Sequence, residues 1–132
     1  MFRDPTMRAL AVVCILFLTL ILTAGATAVH TQAICRTLLD TADVCLQSAR
    51  TEDTAGAEAA LSRLQEQWQN HRLFFAATQF HEDLDAVNTA LQAAKLQLSD
   101  DCIDEFYAEI AEIRDTLEKM RDVQRLSIEN IL

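Results

Sequence analysis

The sequence predicts an all-α protein in which an N-terminal transmembrane helix continues into a small antiparallel helical bundle of three to four helices. Two glycines and one proline in 132 residues leave few positions suited to hairpins and tight turns. Residues of high helix propensity, among them Ala, Leu, Glu, Gln and Arg, are abundant. Apolar side chains recur at the three-to-four spacing of a helix face through most of the chain. The length allows one modest domain after the membrane segment.

The membrane segment is an uncharged apolar run over residues 9–29. It has close to the roughly 20 residues that a helix needs to cross a bilayer core about 30 Å thick. Arg3 and Arg8 precede it, and the next fixed positive charge after it is Arg36. Because positive charge favours the cytoplasmic side, the N-terminus is expected in the cytoplasm and the rest of the chain outside it, at the cell membrane.

These observations divide the chain into a cytoplasmic N-terminus (1–8), a transmembrane anchor or uncleaved signal (9–29) and an extracytoplasmic helical domain (30–132). Small residues over 24–28 also have the spacing that a signal peptidase accepts. A cleaved signal peptide is therefore the alternative. In both cases the domain is exported, and the alternatives differ only in whether it stays tethered.

The charge of the exported part argues against nucleic-acid binding. The whole chain has a formal net charge of -9, and the part after residue 29 carries 9 basic and 19 acidic residues. No cluster of Lys or Arg interrupts this acidic surplus. Such a surface repels phosphate backbones.

The first helix is expected to continue beyond the membrane to about Ser48. Its apolar positions share one face and carry no helix breaker between them: Ile34, Leu38, Ala42 and Cys45. Residues 51–54 then supply side chains that cap helices and acids that suit a first turn. A second helix is therefore predicted to begin near Asp53.

Two apolar series follow that cannot lie on one straight helix. The first comprises Ala57, Leu61, Leu64, Trp68, His71 and Phe75, and the second Phe80, Leu84, Val87, Leu91, Ala94 and Leu98. The second series is out of phase by two residues, which turns the face by about 200° on a helix of 3.6 residues per turn. The chain is therefore predicted to turn between Gln69 and Gln79.

The last helix is expected to follow residues 99–101, with Asp100 or Asp101 as its cap. Its apolar face comprises Ile103, Phe106, Ile110, Ile113, Leu117 and Met120. Short connections favour antiparallel neighbours, so the last helix should descend toward the membrane. The apolar-rich residues 126–132 would then lie near the bilayer. They would either contact lipid or a partner, or pack against the base of the bundle.

Three residues are candidates for a metal or small-ligand site. His81 and Asp85 share a helix face at i and i+4, and His71 lies on the apolar stripe beside Trp68. A catalytic zinc site needs three protein ligands, and no matching motif occurs on another helix. His81 is better explained as bordering the start of its helix and His71 as an interior or boundary histidine. No metal and no cofactor are therefore assigned.

The cysteines allow one disulfide hypothesis. Cys14 lies in the membrane segment, and Cys35 and Cys45 are separated by about 15 Å of rise on one helix, too far to pair. Cys45 lies toward the distal end of the first helix and Cys102 begins the last, so these two are the candidate pair outside the cytoplasm. The alternative is three free thiols that behave as small apolar residues.

Catalysis is not expected. The sequence has no Gly-x-Ser-x-Gly, phosphate-binding glycine loop, His-Glu-x-x-His or Cys-x-x-Cys motif. A bundle of this size also has little room for a substrate pocket. Trp68, the only tryptophan, lies in the middle of an apolar stripe and is expected in the core with its indole N–H bonded to an acceptor.

The order of motifs resembles a family of membrane-anchored bacterial proteins known as domain of unknown function 4363. The matching residues follow the spanning helix in this order: Leu61, Leu64 and Trp68, then His81-Glu82 and Leu84-Asp85, then Ser127 and Asn130-Ile131-Leu132. The resemblance implies an exported helical domain on an anchor, with no assigned activity and no established catalytic residues. It also implies an accessory role beside small membrane proteins.

These observations favour a membrane-tethered interaction module that binds another membrane or envelope protein through its helix faces. The alternative is an extracytoplasmic sensor that holds a metal or small ligand near His71, His81 and Asp85. A shift in melting temperature on adding a divalent ion, abolished by His81→Ala, would favour the sensor.

Overall fold

The computed structural model describes residues 4–131, and the side chains of all of these except Ser127, Ile128 and Ile131. Within that range the chain forms five helices and no strand: α1 (Pro5–Arg50), α2 (Thr54–Asn70), α3 (Arg72–Thr78), α4 (His81–Ser99) and α5 (Ile103–Ile131). The predicted all-α architecture, with a long apolar N-terminal helix leading into a bundle, is confirmed.

Helix α1 is a single element of 46 residues, with Pro5 in its first turn. Proline suits this position because the first N–H groups of a helix have no partner within the helix. The apolar part of α1 projects from the bundle, while the part from Ala28 to Ala49 contributes one face of the core. The predicted continuation of the first helix to about Ser48 is confirmed, since α1 ends at Arg50.

The reversal between α1 and α2 depends on two residues. Glu52 has a left-handed backbone with φ of 55°, which turns the chain back. Asp53 is the N-cap of α2, where its carboxylate accepts a hydrogen bond of 3.0 Å from the N–H of Gly56. This bond satisfies one of the amide groups left free at a helix start. The prediction that the second helix begins near Asp53 is confirmed.

The window between Gln69 and Gln79 contains two breaks rather than one turn. Helix α2 ends at Asn70, the seven-residue α3 follows, and the chain is extended at Gln79 before α4 begins. The short helix lets Phe75 reach the core, where its ring stacks on Trp68 at 5.0 Å between centroids. The two-residue difference in phase between the two apolar series arises at these two breaks.

Two details of the sequence prediction are wrong. Phe80 was expected on the inward face of its helix but is 70% exposed. It precedes α4 with an extended backbone, so the helical phase of α4 does not apply to it. Asp100 and Asp101 do not cap α5, because Asp101 adopts the left-handed conformation that reverses the chain and the Cys102 carbonyl accepts the first hydrogen bond, from Phe106.

Polar contacts fix the direction and register of α5 against α1. Arg50 donates a hydrogen bond of 2.9 Å to the hydroxyl of Tyr107, and Arg114 donates one of 2.7 Å to Asp43. Moving seven residues back along α1 therefore corresponds to moving seven residues forward along α5. The two helices are antiparallel, and the same register brings Leu126 level with residue 31.

The other pairs are antiparallel as well. Thr41 of α1 donates to Gln67 of α2 at 2.7 Å, and Lys119 of α5 donates to Asp83 of α4 at 3.1 Å. The topology is up-down-up-down, as predicted for short connections. The turns at residues 51–53 and 100–102 share the end of the bundle that we call the distal end. Helix α3 lies at the opposite, proximal end, next to the apolar part of α1.

A single core runs between these ends. Its largest fully buried side chains come from all five helices: Leu38, Leu64, Trp68, Phe75, Val87, Phe106, Ile110, Ile113, Leu117 and Met120. The predicted inward face of the last helix is confirmed from Phe106 to Met120. Leu126 is 55% exposed. Leu132 and the side chains of three nearby residues lie outside the described part, so the predicted placement of the tail is followed only as far as the backbone of residue 131.

Candidate functional site

A groove runs between α2 and α4 on one side of the bundle. Helix α2 packs mainly against α1 and α4 mainly against α5, so α2 and α4 meet along few residues. The groove between them is lined largely by polar side chains: Gln65, Gln69, Arg72, Asn88, Gln92 and Lys95. It continues toward the distal end past Ser62 and Ser99. We call this surface the α2–α4 groove.

The α2–α4 groove is unusual for an acidic chain because its central part carries cations. Arg72 and Lys95 line this central part, to which the described part of the chain contributes no carboxylate. The nearest lining carboxylate is that of Glu58, in the distal part of the groove. Among the described residues, neither cation has a carboxylate within ion-pair distance. The amide groups of the neighbouring glutamines can both donate and accept hydrogen bonds. The groove can therefore bind a polar or anionic surface.

Trp68 links the groove to the core. Its ring is 2% exposed, and its indole N–H donates a hydrogen bond of 2.7 Å to the side-chain carbonyl of Asn88, which is itself exposed. Burial of Trp68 and a partner for its N–H were both predicted. The partner could not be identified from the sequence, because α2 and α4 are joined through a segment whose geometry the apolar pattern does not specify.

The other long face, between α1 and α5, also carries a groove, but most of its charged side chains interact with one another. Arg114 pairs with Asp43 at 2.7 Å and with Glu118 at 2.6 Å. Arg50 lies over the ring of Tyr107 at 5.5 Å while it donates to the hydroxyl. Hydrogen bonding to Asp43 raises the pKa of Arg114 further above its ordinary value. These groups hold α5 against α1, so this face offers fewer free groups than the α2–α4 groove.

The structure does not bring the three candidate metal ligands together. His71 lies at the junction of α2 and α3 with its ring 6.4 Å from that of His30, whereas His81 and Asp85 are exposed on α4. Between residues 4 and 131, no group of three or more His, Cys, Asp or Glu side chains is arranged to hold a metal ion. The acid of this region that is buried, Asp83, pairs instead with Lys119.

The cysteines are free thiols in the structure, Cys35 and Cys45 in the core and Cys102 partly exposed. The α1–α5 register places Cys102 about 15 Å beyond Cys45 along the bundle axis, since ten residues of helix separate their levels. A disulfide needs α-carbons within about 7 Å, so this fold does not support the predicted pair. Burial raises the pKa of Cys35 to about 11 and of Cys45 to about 12. Both thiols are therefore protonated and unreactive at neutral pH.

Residues 26–131 match the family described as "Domain of unknown function (DUF4363)". The chain belongs to this family. The DUF4363 domain thus covers the whole bundle and the last four residues of the apolar segment, and it confirms the resemblance seen in the motifs. No curated protein and no solved structure matches the chain.

The DUF4363 domain is preceded by the apolar part of α1. This helix contains an 18-residue window of mean hydropathy 2.6, none of it buried, and is long and apolar enough to cross a membrane. Signal sequences near an N-terminus share these properties. Length and composition thus indicate either a membrane span or a signal.

Proposed function

We propose that the chain is a membrane-tethered, extracytoplasmic helical module that binds another membrane or envelope protein and has no enzymatic activity. The observation that carries the proposal is the continuity of α1, whose apolar part and core-forming part are one helix. Because no loop separates the two, the bundle would be held at a fixed height and orientation above the bilayer. A rigid anchor suits a protein whose task is to present a surface to a neighbour.

The exposed side chains of α1 support the tether. Large apolar residues over 10–22 are mostly more than half exposed, among them Leu16 (59%), Phe17 (64%) and Leu20 (68%). A continuous apolar surface of this kind is rarely left in water by a soluble protein. A bilayer would cover it, and the helix satisfies the backbone groups that lipid cannot. Arg3 and Arg8 favour a cytoplasmic N-terminus.

Residues 24–28 offer the small side chains of a signal-peptidase site, but their structure favours retention of the anchor. They are helical, and Ala28 is already buried in the bundle at 3% exposure. Cleavage would require this part of α1 to unwind. The intact mass of the mature protein tests the point: a full-length chain is expected, and loss of the first 26 or 28 residues would show that the domain is released.

The α2–α4 groove is the surface that we propose for the partner. Its cations, Arg72 and Lys95, are free of carboxylates among the described residues, while the α1–α5 face uses its charges internally. Groups that are not paired within the protein can pair across an interface without first breaking an internal bond. The partner is expected to present acidic and amide side chains at the height of this groove.

Site-specific photo-crosslinking in native membranes tests the proposal. A photoreactive residue is introduced at Gln92 in the α2–α4 groove and, as a matched control, at Gln47, an exposed glutamine on the α1–α5 face. A discrete crosslinked protein from position 92 and none from position 47 is expected. Equal yields at both positions, or no crosslinked protein at either, would contradict the proposed partner face.

Arg72→Glu and Lys95→Glu, combined in the full chain, provide a second arm of the test. The expected result is loss of the crosslink at position 92 with an unchanged circular dichroism spectrum, because both side chains are exposed. An undiminished crosslink would show that the cations of the groove do not hold the partner.

A further inference from the structure

The proximal end of the bundle carries two exposed apolar side chains that its packing does not explain. Leu73 in α3 is 82% exposed and Phe80, two residues after α3, is 70% exposed. Among the described side chains they are the most exposed large apolar ones, and Leu96 in the distal half is 61% exposed by comparison. Helix α3 therefore has an apolar side that faces away from the core.

The level of α3 along the bundle is set by His30. The ring of Phe74 packs edge-on against the ring of His30 at 4.8 Å between centroids, and His71 lies 6.4 Å from it. His30 directly follows Val29, the last residue of the uncharged apolar segment. One residue of helix rises about 1.5 Å, whereas the headgroup region extends roughly 5 to 7 Å beyond the hydrocarbon core on each side. Helix α3 thus lies at headgroup height if α1 spans the bilayer.

The direction of Leu73 follows from its neighbour two residues on. Phe75 is fully buried and stacks on Trp68 inside the bundle. Two residues correspond to about 200° on a helix of 3.6 residues per turn, so Leu73 points away from the core. Because α3 lies at headgroup height, this outward side of the helix is the one that lipid can reach.

The distribution of charge agrees with this placement. The distal half, residues 40–65 and 89–117, carries four basic and twelve acidic residues. The proximal half, residues 30–39, 66–88 and 118–131, carries five basic and seven acidic residues. Nearly all of the acidic surplus therefore lies at the end away from α3. Bringing carboxylates up to lipid costs their hydration, which favours contact through the proximal end.

We propose that α3 is an interfacial helix that rests on the bilayer crossed by α1, with Leu73 inserted among the lipid headgroups and upper acyl chains. The proposal rests on the tether of the proposed function. It gives the bundle a second point of contact with the membrane, so that the anchor and α3 together fix which side of the bundle faces the plane of the bilayer. The α2–α4 groove, which ends at Arg72, would then open directly above the lipid surface.

Depth-dependent fluorescence quenching in vesicles tests this. The full chain with Cys14→Ala and Cys102→Ala retains only buried cysteines, so a polarity-sensitive maleimide dye can be attached to a single new cysteine. The positions are Leu73→Cys in α3, Leu96→Cys as an exposed apolar control in the distal half, and Leu16→Cys in the apolar part of α1. The vesicles are phosphatidylcholine with nitroxide labels either near the headgroup or deep in the acyl chains.

The expected result is quenching at position 73 by the shallow nitroxide, at least twofold stronger than at position 96, and quenching at position 16 by the deep nitroxide. Quenching at position 16 with none at position 73 would overturn the interfacial role of α3 and leave the tether intact. Absence of quenching at position 16 would overturn the tether, and the proposal with it. Protection of position 73 from aqueous quenchers without nitroxide quenching would assign the surface to a protein partner or a second copy, and would also refute the proposal.

Discussion

Replacing Asn88 separates two ways of losing the hydrogen bond to Trp68. The indole N–H lies at the edge of the α2–α4 groove, covered by an exposed Asn88 that accepts it at 2.7 Å. In Asn88→Ala the groove admits water to the N–H, so only the net value of the bond, about 1 kcal/mol, is lost. In Asn88→Leu an apolar side chain covers the N–H, and the cost approaches that of an unsatisfied buried donor, about 2 kcal/mol.

The higher helix propensity of the new residue stabilises α4 and so offsets part of the loss from the missing hydrogen bond. This contribution must be subtracted from the change in unfolding free energy. Alanine and leucine are each better helix formers than asparagine by roughly 0.5 kcal/mol. The same changes in a Trp68→Phe background keep the propensity effect but have no N–H to satisfy. The coupling energy of each double-mutant cycle is therefore expected at about 1 kcal/mol for the alanine change and about 2 kcal/mol for the leucine change.

The assay is thermal unfolding of the full chain in lipid nanodiscs, followed by far-ultraviolet circular dichroism. For a domain near 100 residues, 1 kcal/mol corresponds to roughly 4–8 °C in Tm. Asn88→Asp, which keeps an acceptor, is the control and should show little coupling loss. Equal coupling energies for the alanine and leucine changes, or none for either, would refute the claim that the buried indole N–H of Trp68 depends on Asn88 as its acceptor.

The remaining predictions concern the thiols and the cap of α2. In the folded chain Cys102 should react with a soluble maleimide while Cys35 and Cys45 remain unlabelled until denaturant is added, which mass spectrometry of labelled peptides can follow; prompt labelling of Cys45 would show that the core is open. Because burial raises the pKa of Cys45 to about 12, the unfolded chain releases this proton near pH 9 and the folded chain does not, so stability should fall as the pH rises from about 9 toward 12. Cys45→Ala should reduce that slope in unfolding curves, and an identical slope would exclude the thiol as its source. A Cβ at position 56 would overlap the Asp53 carboxylate, so Gly56→Ala should displace the cap and be neutral or destabilising by up to about 1 kcal/mol, whereas in an Asp53→Ala background it should stabilise by up to about 1 kcal/mol. Stabilisation of equal size in both backgrounds would show that the cap is not displaced.

Much of the bundle could be predicted because its helices are amphipathic and short connections restrict their order. The stripe from Ala57 to Trp68 and the stripe from Phe106 to Met120 are both buried as their spacing indicates. Periodicity failed at residues 71–80, because seven helical residues between two breaks are too few to show a period. Phe80 was assigned to the core because it lies four residues before Leu84, in phase with the apolar face of α4, although it precedes that helix with an extended backbone.

The α2–α4 groove was not predictable in the same way. Gln65, Gln69 and Gln92 are ordinary polar residues of a solvated helix face when seen in the sequence alone. They line one groove because α2 and α4 are connected through α3 and meet at few points. Which surface residues converge depends on the spacing of neighbouring helices, and local periodicity carries no information about that distance.

The sequence by itself determined the helical class, the apolar segment over residues 9–29, the acidic character of the rest and the faces that enter the core. These depend on composition and on local period, both of which can be read along the chain. The tertiary structure decided that Trp68 bonds to Asn88, that Cys45 and Cys102 are at different levels, and that Leu73 points away from the core. Each of these depends on the register between helices or on a break between them, and register is set by the packing of side chains that are distant in the sequence.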